Sequence, residues 1–367
     1  MAIREVRASG LECLALATEL LQRARLVDAE AGVWEAADLQ WWWRTPRRSD
    51  TIDQLFWIDG EGPVAGVVLT DWGRAWGCDP IVVRGVSTIP LPTVWARAVE
   101  AIDGLGLEAI EVLTRDDDSE VLGLLAGAGF VPGDDRSGIT WMDAQDRADV
   151  AALPEGFALV DRAEETIRPH PMRGRSGEGV EARLRQCSLY DPALDLAVET
   201  DDGQAAGYAL FWFDPVTEVG MVEPMRVEDA YQRRGLARAM LTAGLDRLVR
   251  RGARRLKVGY GTDAARELYV GAGFRVTFTS RSYTRRDPLA ARTPPSEPPV
   301  RRRPLAPRHG PSSGVLCFTP GNSADHQGAE MRAAFMSIEK AFVTYSEGMT
   351  LASQNAQLGD LGACRRR

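Results

Sequence analysis

Two short stretches decide the fold: LLAGAGF at Leu124–Phe130 and LYVGAGF at Leu268–Phe274, which agree at five of seven positions. Working outward, GLEAIEV precedes the first copy and GARRLKV precedes the second, and each follows a segment with helical periodicity. A repeat of about 145 residues is too long for a solenoid. The sequence therefore predicts two related domains.

Each repeat also contains strands before its first helix. The run QLFWIDGEGPVAGVVLTDW predicts a hairpin around DGEGP, and LDLAVETDDGQAAGYALFWFD predicts another around DDG. A further strand, VGMVEPMRV, follows the second hairpin. Each unit then reads as strands, a helix, a strand, a second helix and a final strand pair. We expect an α+β fold of two domains, each with a mixed twisted sheet flanked by helices.

Composition divides the chain into three parts. We expect domains over residues 1–145 and 154–286, followed by a Pro/Arg-rich disordered tail over 287–367. Within the tail, apolar residues at four-three-four-three spacing predict one short amphipathic helix between Met331 and Tyr345. That helix either docks on a folded surface or stays marginal on a loose tail.

Charge and residue types exclude several classes of protein. The net charge is −8, and an acidic body argues against a nucleic-acid binder, which needs a basic face. Five scattered cysteines and only three histidines favour a reducing compartment and no metal site. The sequence shows neither a signal peptide nor an apolar run long enough to span a bilayer, so we expect a cytoplasmic protein that does not bind membranes. Nothing in it indicates an oligomeric state.

A candidate phosphate loop lies in VEDAYQRRGLARAML, Val227–Leu241, where a predicted strand leads into a predicted helix. Gly235 allows a tight turn, and the amides that follow would face one concavity at the helix N-terminus, which binds phosphate. Arg233, Arg234 and Arg238 add positive charge. The same short pattern occurs in QAAGYA, but there it lies within a predicted strand and opens no helix.

These motifs resemble the GNAT superfamily of N-acetyltransferases. The matching residues are the run YQRRGLA and the later A-x-x-L-Y-x-x-x-G-F ending at Phe274. The resemblance implies acetyl-CoA as donor, no metal, and Tyr269 as the general acid that protonates the departing thiolate. It also implies two sets of cofactor contacts. The diphosphate would be held by Arg233, Arg234, Gly235, Leu236, Ala237 and Arg238, and the pantetheine arm by Met225, Arg226 and Val227.

The first copy lacks these features. Aligned without a gap, it has VSTIPL where the second copy has QRRGLA, so Ile89 replaces Gly235, and Leu125 replaces Tyr269. We expect a degenerate first domain that is either structural or helps to shape the acceptor site. The alternative for Tyr269 itself is a packing residue beside Phe274.

The general base is less clearly marked. Glu223, on the strand before the loop, is the candidate that would deprotonate an amine, directly or through a water; alternatively it is a strand-end carboxylate facing solvent. Lys257 stands where some family members have Glu, whereas Thr262 still fits a helix N-cap. His170, in a loop, is a weaker candidate for the acceptor mouth. Backbone amides near Arg226 and Val227 would hold the oxyanion.

The sequence thus predicts an N-acetyltransferase that moves an acetyl group from acetyl-CoA to a primary amine, on a small molecule or a peptide, by direct attack. The alternative is a non-catalytic acyl-CoA-binding regulator that keeps the loop but dispenses with the acid and the base. The tryptophans, among them Trp41, Trp42 and Trp43 in a row, fit either an aromatic cage for a cationic acceptor or core packing between domains.

Overall fold

The computed structural model describes residues 3–286, apart from residues 31, 108 and 164–167. The predicted tail over 287–367 and its amphipathic helix lie outside the described residues. The first half of the fold runs from β1 to β6 and contains four α-helices. Its elements are β1 (Arg4–Ala8), α1 (Gly10–Val27), α2 (Ala36–Trp43), β2 (Gln54–Ile58), β3 (Pro63–Asp71), β4 (Trp76–Val82), α3 (Leu91–Leu105), β5 (Ala109–Arg115), α4 (Ser119–Gly127) and β6 (Val131–Asp143).

The second half repeats this order with two shorter helices at its start. Its elements are β7 (Phe157–Asp161), α5 (Arg173–Ser176), α6 (Val180–Leu184), β8 (Asp195–Thr200), β9 (Ala205–Asp214), β10 (Val219–Val227), α7 (Leu236–Arg251), β11 (Arg255–Tyr260), α8 (Asp263–Gly271) and β12 (Arg275–Arg286). The predicted hairpins are β2–β3 and β8–β9, and both are antiparallel. The predicted mixed α+β architecture is confirmed.

The twelve strands of the described residues form one sheet, in the order β1-β2-β3-β4-β5-β12-β6-β11-β10-β9-β8-β7. The last strand of each half therefore pairs with the other half: β12 lies between β5 and β6, and β6 also pairs with β11. At the centre, the hydroxyls of Ser137 and Ser280 are 2.8 Å apart and buried. The two halves are joined by an exchange of strands.

The predicted final strand pair in each half is wrong. Each half ends in a single long strand, β6 or β12, and these two strands pair with each other. The sequence contains enough extended residues for a hairpin at both places, but the second strand of each expected pair comes from the other half. The backbone hydrogen bonds of a sheet edge are thereby satisfied without a hairpin.

Four hydrophobic clusters organise the interior of the described residues, and three of them are large. One lies under α3 in the first half, and one lies under α7 in the second half. The third spans both halves, because α1 and α2 pack with residues of the second half such as Leu184, Trp212 and Met221. Helix α2 contacts α6, β9 and β10 directly. No helix in the described part of the chain is long and apolar enough to cross a bilayer.

A buried ionic cluster also joins the halves. The Lys257 Nζ, on β11, lies 2.8 Å from Glu35 Oε1 and donates to the Val33 carbonyl at 2.6 Å. Arg25 of α1 also binds the Glu35 carboxylate, with its Nε at 3.1 Å. Because Lys257 is only 2% exposed, its charge depends on Glu35. This cluster fixes the start of α2 against β11.

Candidate active site

The candidate site opens where β10 and β11 separate. The two strands pair in parallel from Val219 to Val222, opposite Arg255 to Val258, and the pairing ends there. Beyond Val222, β10 continues along β9 with a bulge before Met225, whereas β11 continues along β6. Glu223 is the first residue after the separation. A wedge between two parallel strands is a common place for a ligand in a mixed sheet.

The Glu223 side chain is half-buried in this wedge. Desolvation by burial, with a contribution from the nearby Asp38 carboxylate, raises the pKa of Glu223 to about 8, while Arg44 and Trp41 act in the opposite direction. Its backbone carbonyl accepts a hydrogen bond from Trp212 Nε1 at 2.6 Å. The alternative of a carboxylate open to solvent therefore does not describe this residue. A carboxyl with a pKa near 8 is a stronger base than an ordinary glutamate.

Tyr269 faces the same wedge from α8. Its side chain is 6% exposed, and its ring packs edge-to-face on Phe274 with the centroids 6.2 Å apart. Burial raises the pKa of Tyr269, and the charge of Glu223 raises it further, so the two groups lie close enough to interact. Within the described chain the hydroxyl has no hydrogen-bond partner. The ring thus has the packing role, and its hydroxyl is left available for another.

The predicted phosphate loop connects β10 to α7. Arg233 has φ 61° and Gly235, the N-cap of α7, has φ 83°. Arg233, Arg234 and Arg238 are exposed. The amides of residues 233–238 donate no hydrogen bond to any described residue, and the helix ladder begins only with Ala239 donating to the Gly235 carbonyl at 3.1 Å. Free amides at the N-terminus of a helix, here one of 16 residues, are groups that bind anions in proteins.

The predicted pantetheine contacts lie between these two features. Met225, Arg226 and Val227 pair with β9 on one edge. On their other edge no described strand is paired with them, because β11 has already left. An extended chain entering the wedge would therefore meet unpaired strand backbone on its way from the loop to Glu223. Leu236, which is 1% exposed, anchors α7 in the core below, and Ala237 is half-buried beside it.

The corresponding helix start in the first half differs by more than one residue. The N-cap of α3 is Pro90, with Pro92 within its first turn, so by helix position Pro90 rather than Ile89 stands in place of Gly235. Neither proline has an N–H group to offer. The Ile89 amide is also occupied, since it donates to the Ser87 hydroxyl at 3.1 Å. Leu125 occupies the position of Tyr269 and is fully buried.

A larger cleft opens in the first half between β4 and β5, but it lacks the same chemistry. Its base includes Asp79–Pro80, which repeats the Glu223–Pro224 pair of β10. The Asp79 carboxylate accepts a hydrogen bond from Trp34 Nε1 at 2.7 Å, and β4 pairs with β3 there without a bulge. The cleft therefore has a carboxylate that is already bound, and a helix start at which two prolines offer no amide.

The structure also places the weaker candidates. His170 is 2% exposed; its Nε2 lies 2.8 Å from Asp195 Oδ2, and its Nδ1 accepts from the Met172 amide, so it fixes a loop and lines no opening. Thr262 is the N-cap of α8, and its hydroxyl accepts from the Ala265 amide at 3.2 Å, as predicted. Within the described residues, no group of His, Cys, Asp or Glu side chains has the arrangement of a metal site.

The tryptophan run of α2 serves packing between the halves. Trp42 packs edge-to-face on Trp34 and Trp72, with centroids 4.7 and 5.1 Å apart. Trp43 donates to Gln186 of the second half at 2.8 Å. Trp41 is 3% exposed and is the one of the three that lies beside Glu223. No aromatic cage is formed by these rings.

Sequence reasoning missed the contribution of α2 to the site. Asp38, Trp41 and Arg44 all lie next to Glu223, although they are about 180 residues away in the chain. A contact between halves leaves no local sequence signal. The one available signal was the capping box of α2, in which Asp38 accepts from the Glu35 amide at 2.7 Å, and this predicts only a helix start.

Comparison with known proteins agrees with this geometry. Residues 160–274 match the model of the acetyltransferase (GNAT) family. One similar structure is a tandem GNAT protein from the clavulanic acid biosynthesis pathway, solved without AcCoA; it is 16% identical, with a TM-score of 0.57, and the alignment covers 78% of this chain and 98% of that one.

A second similar structure is a GCN5-related N-acetyltransferase from Sphaerobacter thermophilus. It is 18% identical, with a TM-score of 0.51, and the alignment covers 77% of this chain and 95% of that one. At such identities the likeness establishes the fold alone. A search among curated proteins found no significant match.

Proposed function

We propose that this protein of tandem GNAT fold transfers an acetyl group from acetyl-CoA to a primary amine, with the chemistry confined to its second half. One observation carries the proposal. Free helix amides, a base with a raised pKa and a tyrosine occur together in the second half. The first half instead has prolines at the helix start, Leu125 in place of the tyrosine, and a carboxylate, Asp79, that is bound to Trp34 although its pKa is also raised, to about 7.

Binding of the donor begins at the loop. The amides of residues 233–238 and the helix dipole of α7 stabilise the CoA diphosphate, and Arg233, Arg234 and Arg238 add charge attraction. The pantetheine arm then runs along the unpaired edge of Met225, Arg226 and Val227. An amide on this edge stabilises the negative charge that develops on the thioester oxygen.

Acetyl transfer then needs two proton movements. A lysine-like ammonium has a pKa near 10.4. The ionised Glu223 takes a proton from it, directly or through one water, so that the nitrogen lone pair attacks the thioester carbonyl. As the carbon–sulfur bond breaks, the Tyr269 hydroxyl gives its proton to the thiolate. The raised pKa of Tyr269 keeps that proton in place throughout the neutral range.

The donor site is tested with Gly235→Glu, which places a carboxylate where the diphosphate would lie. Gly85→Glu is the matched control: Gly85 lies in the corresponding connection of the first half with φ 80°, and a Cβ at either position meets no atom within 4 Å. Calorimetric titration with CoA should show binding lost in the first variant and kept in the second. Unchanged affinity in Gly235→Glu would refute the loop assignment.

Turnover is tested on the unmodified protein. Release of the CoA thiol from acetyl-CoA is followed with a panel of primary amines, from small diamines to lysine-containing peptides. We expect thiol release that depends on the amine and yields the N-acetyl product. CoA binding without acetylation of any amine, together with undisturbed binding in Tyr269→Phe, would instead indicate an acyl-CoA-binding regulator.

A further inference from the structure

Helix α2 of the first half forms part of the wall of the second-half site. Asp38, Trp41 and Arg44 follow one another at spacings of three residues, so they lie on one side of the helix. Arg44 stacks on Trp41 at 3.5 Å and donates through its Nε to the Ser176 hydroxyl of α5 at 3.2 Å. This face is therefore fixed against the second half.

Asp38 and Glu223 face one small cavity. The cavity lies at the separation of β10 and β11, and Met221, Lys257 and Gly259 also line it. The Asp38 side chain is held in place from behind, because its Oδ2 accepts from the Glu35 amide at 2.7 Å. Two carboxyl groups from opposite halves thus share one space, and the buried Trp41 lies beside them.

We propose that Asp38 and Glu223 form a proton-sharing pair, in which Asp38 acts through Glu223 as a positioning residue for the acetyl transfer proposed above. Two carboxylates in one cavity do not both ionise readily. The negative charge of Asp38 therefore increases the affinity of Glu223 for a proton. When the acceptor ammonium releases its proton, the N–H bond breaks and the proton goes to a Glu223 carboxylate oxygen, while the nitrogen keeps the electron pair for its attack on the thioester.

The surrounding charges divide the pair into an acid and a base. Lys257 and Arg25 favour the ionised form of Asp38, which limits the rise of its pKa to about 6 despite burial and the nearby Glu35. For Glu223, Arg44 is the cation that favours the ionised form, and it does not offset burial and the charge of Asp38, so the pKa is about 8. Near pH 7 the pair thus carries one proton, mainly on Glu223.

The test is Asp38→Asn, which keeps an oxygen to accept the Glu35 amide and removes the charge. In the parent protein, kcat/KM for an acetylated amine should rise with a midpoint near pH 8. In Asp38→Asn the midpoint should move down by about one unit or more. The matched control is Asp50→Asn. Asp50 also accepts an amide at the start of a helical turn, from Arg47 at 3.1 Å, and also crosses to the second half, binding Arg183 at 2.6 Å.

A second measurement separates this inference from the proposed function. The Glu223 carboxyl is titrated by ¹³C NMR in the unliganded protein, with Glu223→Gln to assign its signal. If its midpoint moves in Asp38→Asn but no amine is acetylated, the pair stands and the function fails. If acetylation occurs but neither midpoint moves, or if Asp50→Asn moves them equally, the pair is overturned.

Discussion

Replacing Glu223 by Gln is the sharpest test of the proposed chemistry, because the structure fixes the pH range in which the base acts. With a pKa of about 8, about one-tenth of Glu223 is ionised at pH 7 and about nine-tenths at pH 9. The parent kcat/KM should therefore rise about tenfold between these two values. Gln keeps the shape and the polar contacts of the side chain but accepts no proton.

In Glu223→Gln the pH-dependent rise should disappear, and the rate at pH 9 should fall by about 10² to 10⁴, the usual range for loss of a general base. The assay is thiol release from acetyl-CoA at amine concentrations below KM, where the rate reports kcat/KM, measured from about pH 6 to about pH 9.5. CoA affinity, measured by titration, should not change. A variant that keeps the parent profile would show that another group takes the proton.

The same variant makes a prediction about stability with a definite sign. The folded pKa of Glu223 lies above its ordinary value of 4.5, so between about pH 4.5 and pH 8 the folded state binds more protons than the unfolded state. The free energy of unfolding contributed by this group therefore falls as the pH rises through that window. Glu223→Gln should be more stable than the parent protein at pH 9, by urea unfolding, although it is less active. Parallel pH dependences of the two proteins would contradict the buried-base account.

Three further outcomes follow from contacts in the fold. Tyr269→Phe keeps the packing ring, so its melting temperature should match the parent while kcat falls by about 10² to 10⁴ with little change in KM; full activity would leave Tyr269 as a packing residue only. Glu35→Gln leaves Lys257 buried without its partner and should lower the free energy of unfolding by about 3–5 kcal/mol in urea. The control is Glu100→Gln at an exposed ion pair, which should lower it by less than about 1 kcal/mol. Equal losses in the two variants would contradict the account of a buried ion pair. The isolated fragment 154–286 should fail to form a soluble folded monomer, because both neighbours of β12 are missing; a well-dispersed NMR spectrum would refute this.

Sequence reasoning reached the features that repeat or that obey local rules. The GAGF repeat identified two related units, the turn residues identified both hairpins, and Gly235 and Thr262 identified the starts of α7 and α8. Each of these depends on residues within a few positions of one another. Local backbone preferences and capping hydrogen bonds are sufficient to determine them.

Features that depend on contacts between the halves were not predictable in the same way. The alternation of side chains along β6 or β12 does not indicate which strand will pair with it, because every extended strand offers the same backbone N–H and C=O groups. Lys257 appeared as a departure from a family pattern, and its reason is visible only with Glu35 in place. The sequence shows the same acidic-residue–proline pair in both repeats, as Asp79–Pro80 and Glu223–Pro224. The meaning of the pair is visible only in the structure, where Glu223–Pro224 lies at the point at which two strands separate.

The position of β12 between β5 and β6 sets the order in which the protein can be completed during synthesis. β6 ends at Asp143 and β12 begins at Arg275, so about 130 residues must be translated before the central strand of the sheet exists. At about 5–20 residues per second, that interval lasts about 7 to 26 seconds. Throughout it, β5 has no neighbour on one side, and the nascent first half presents an open strand edge that favours association with other chains. The unpaired edge of β5 is covered only when β12 has been made and pairs with it. Slower translation would therefore lengthen the time for which this edge is exposed.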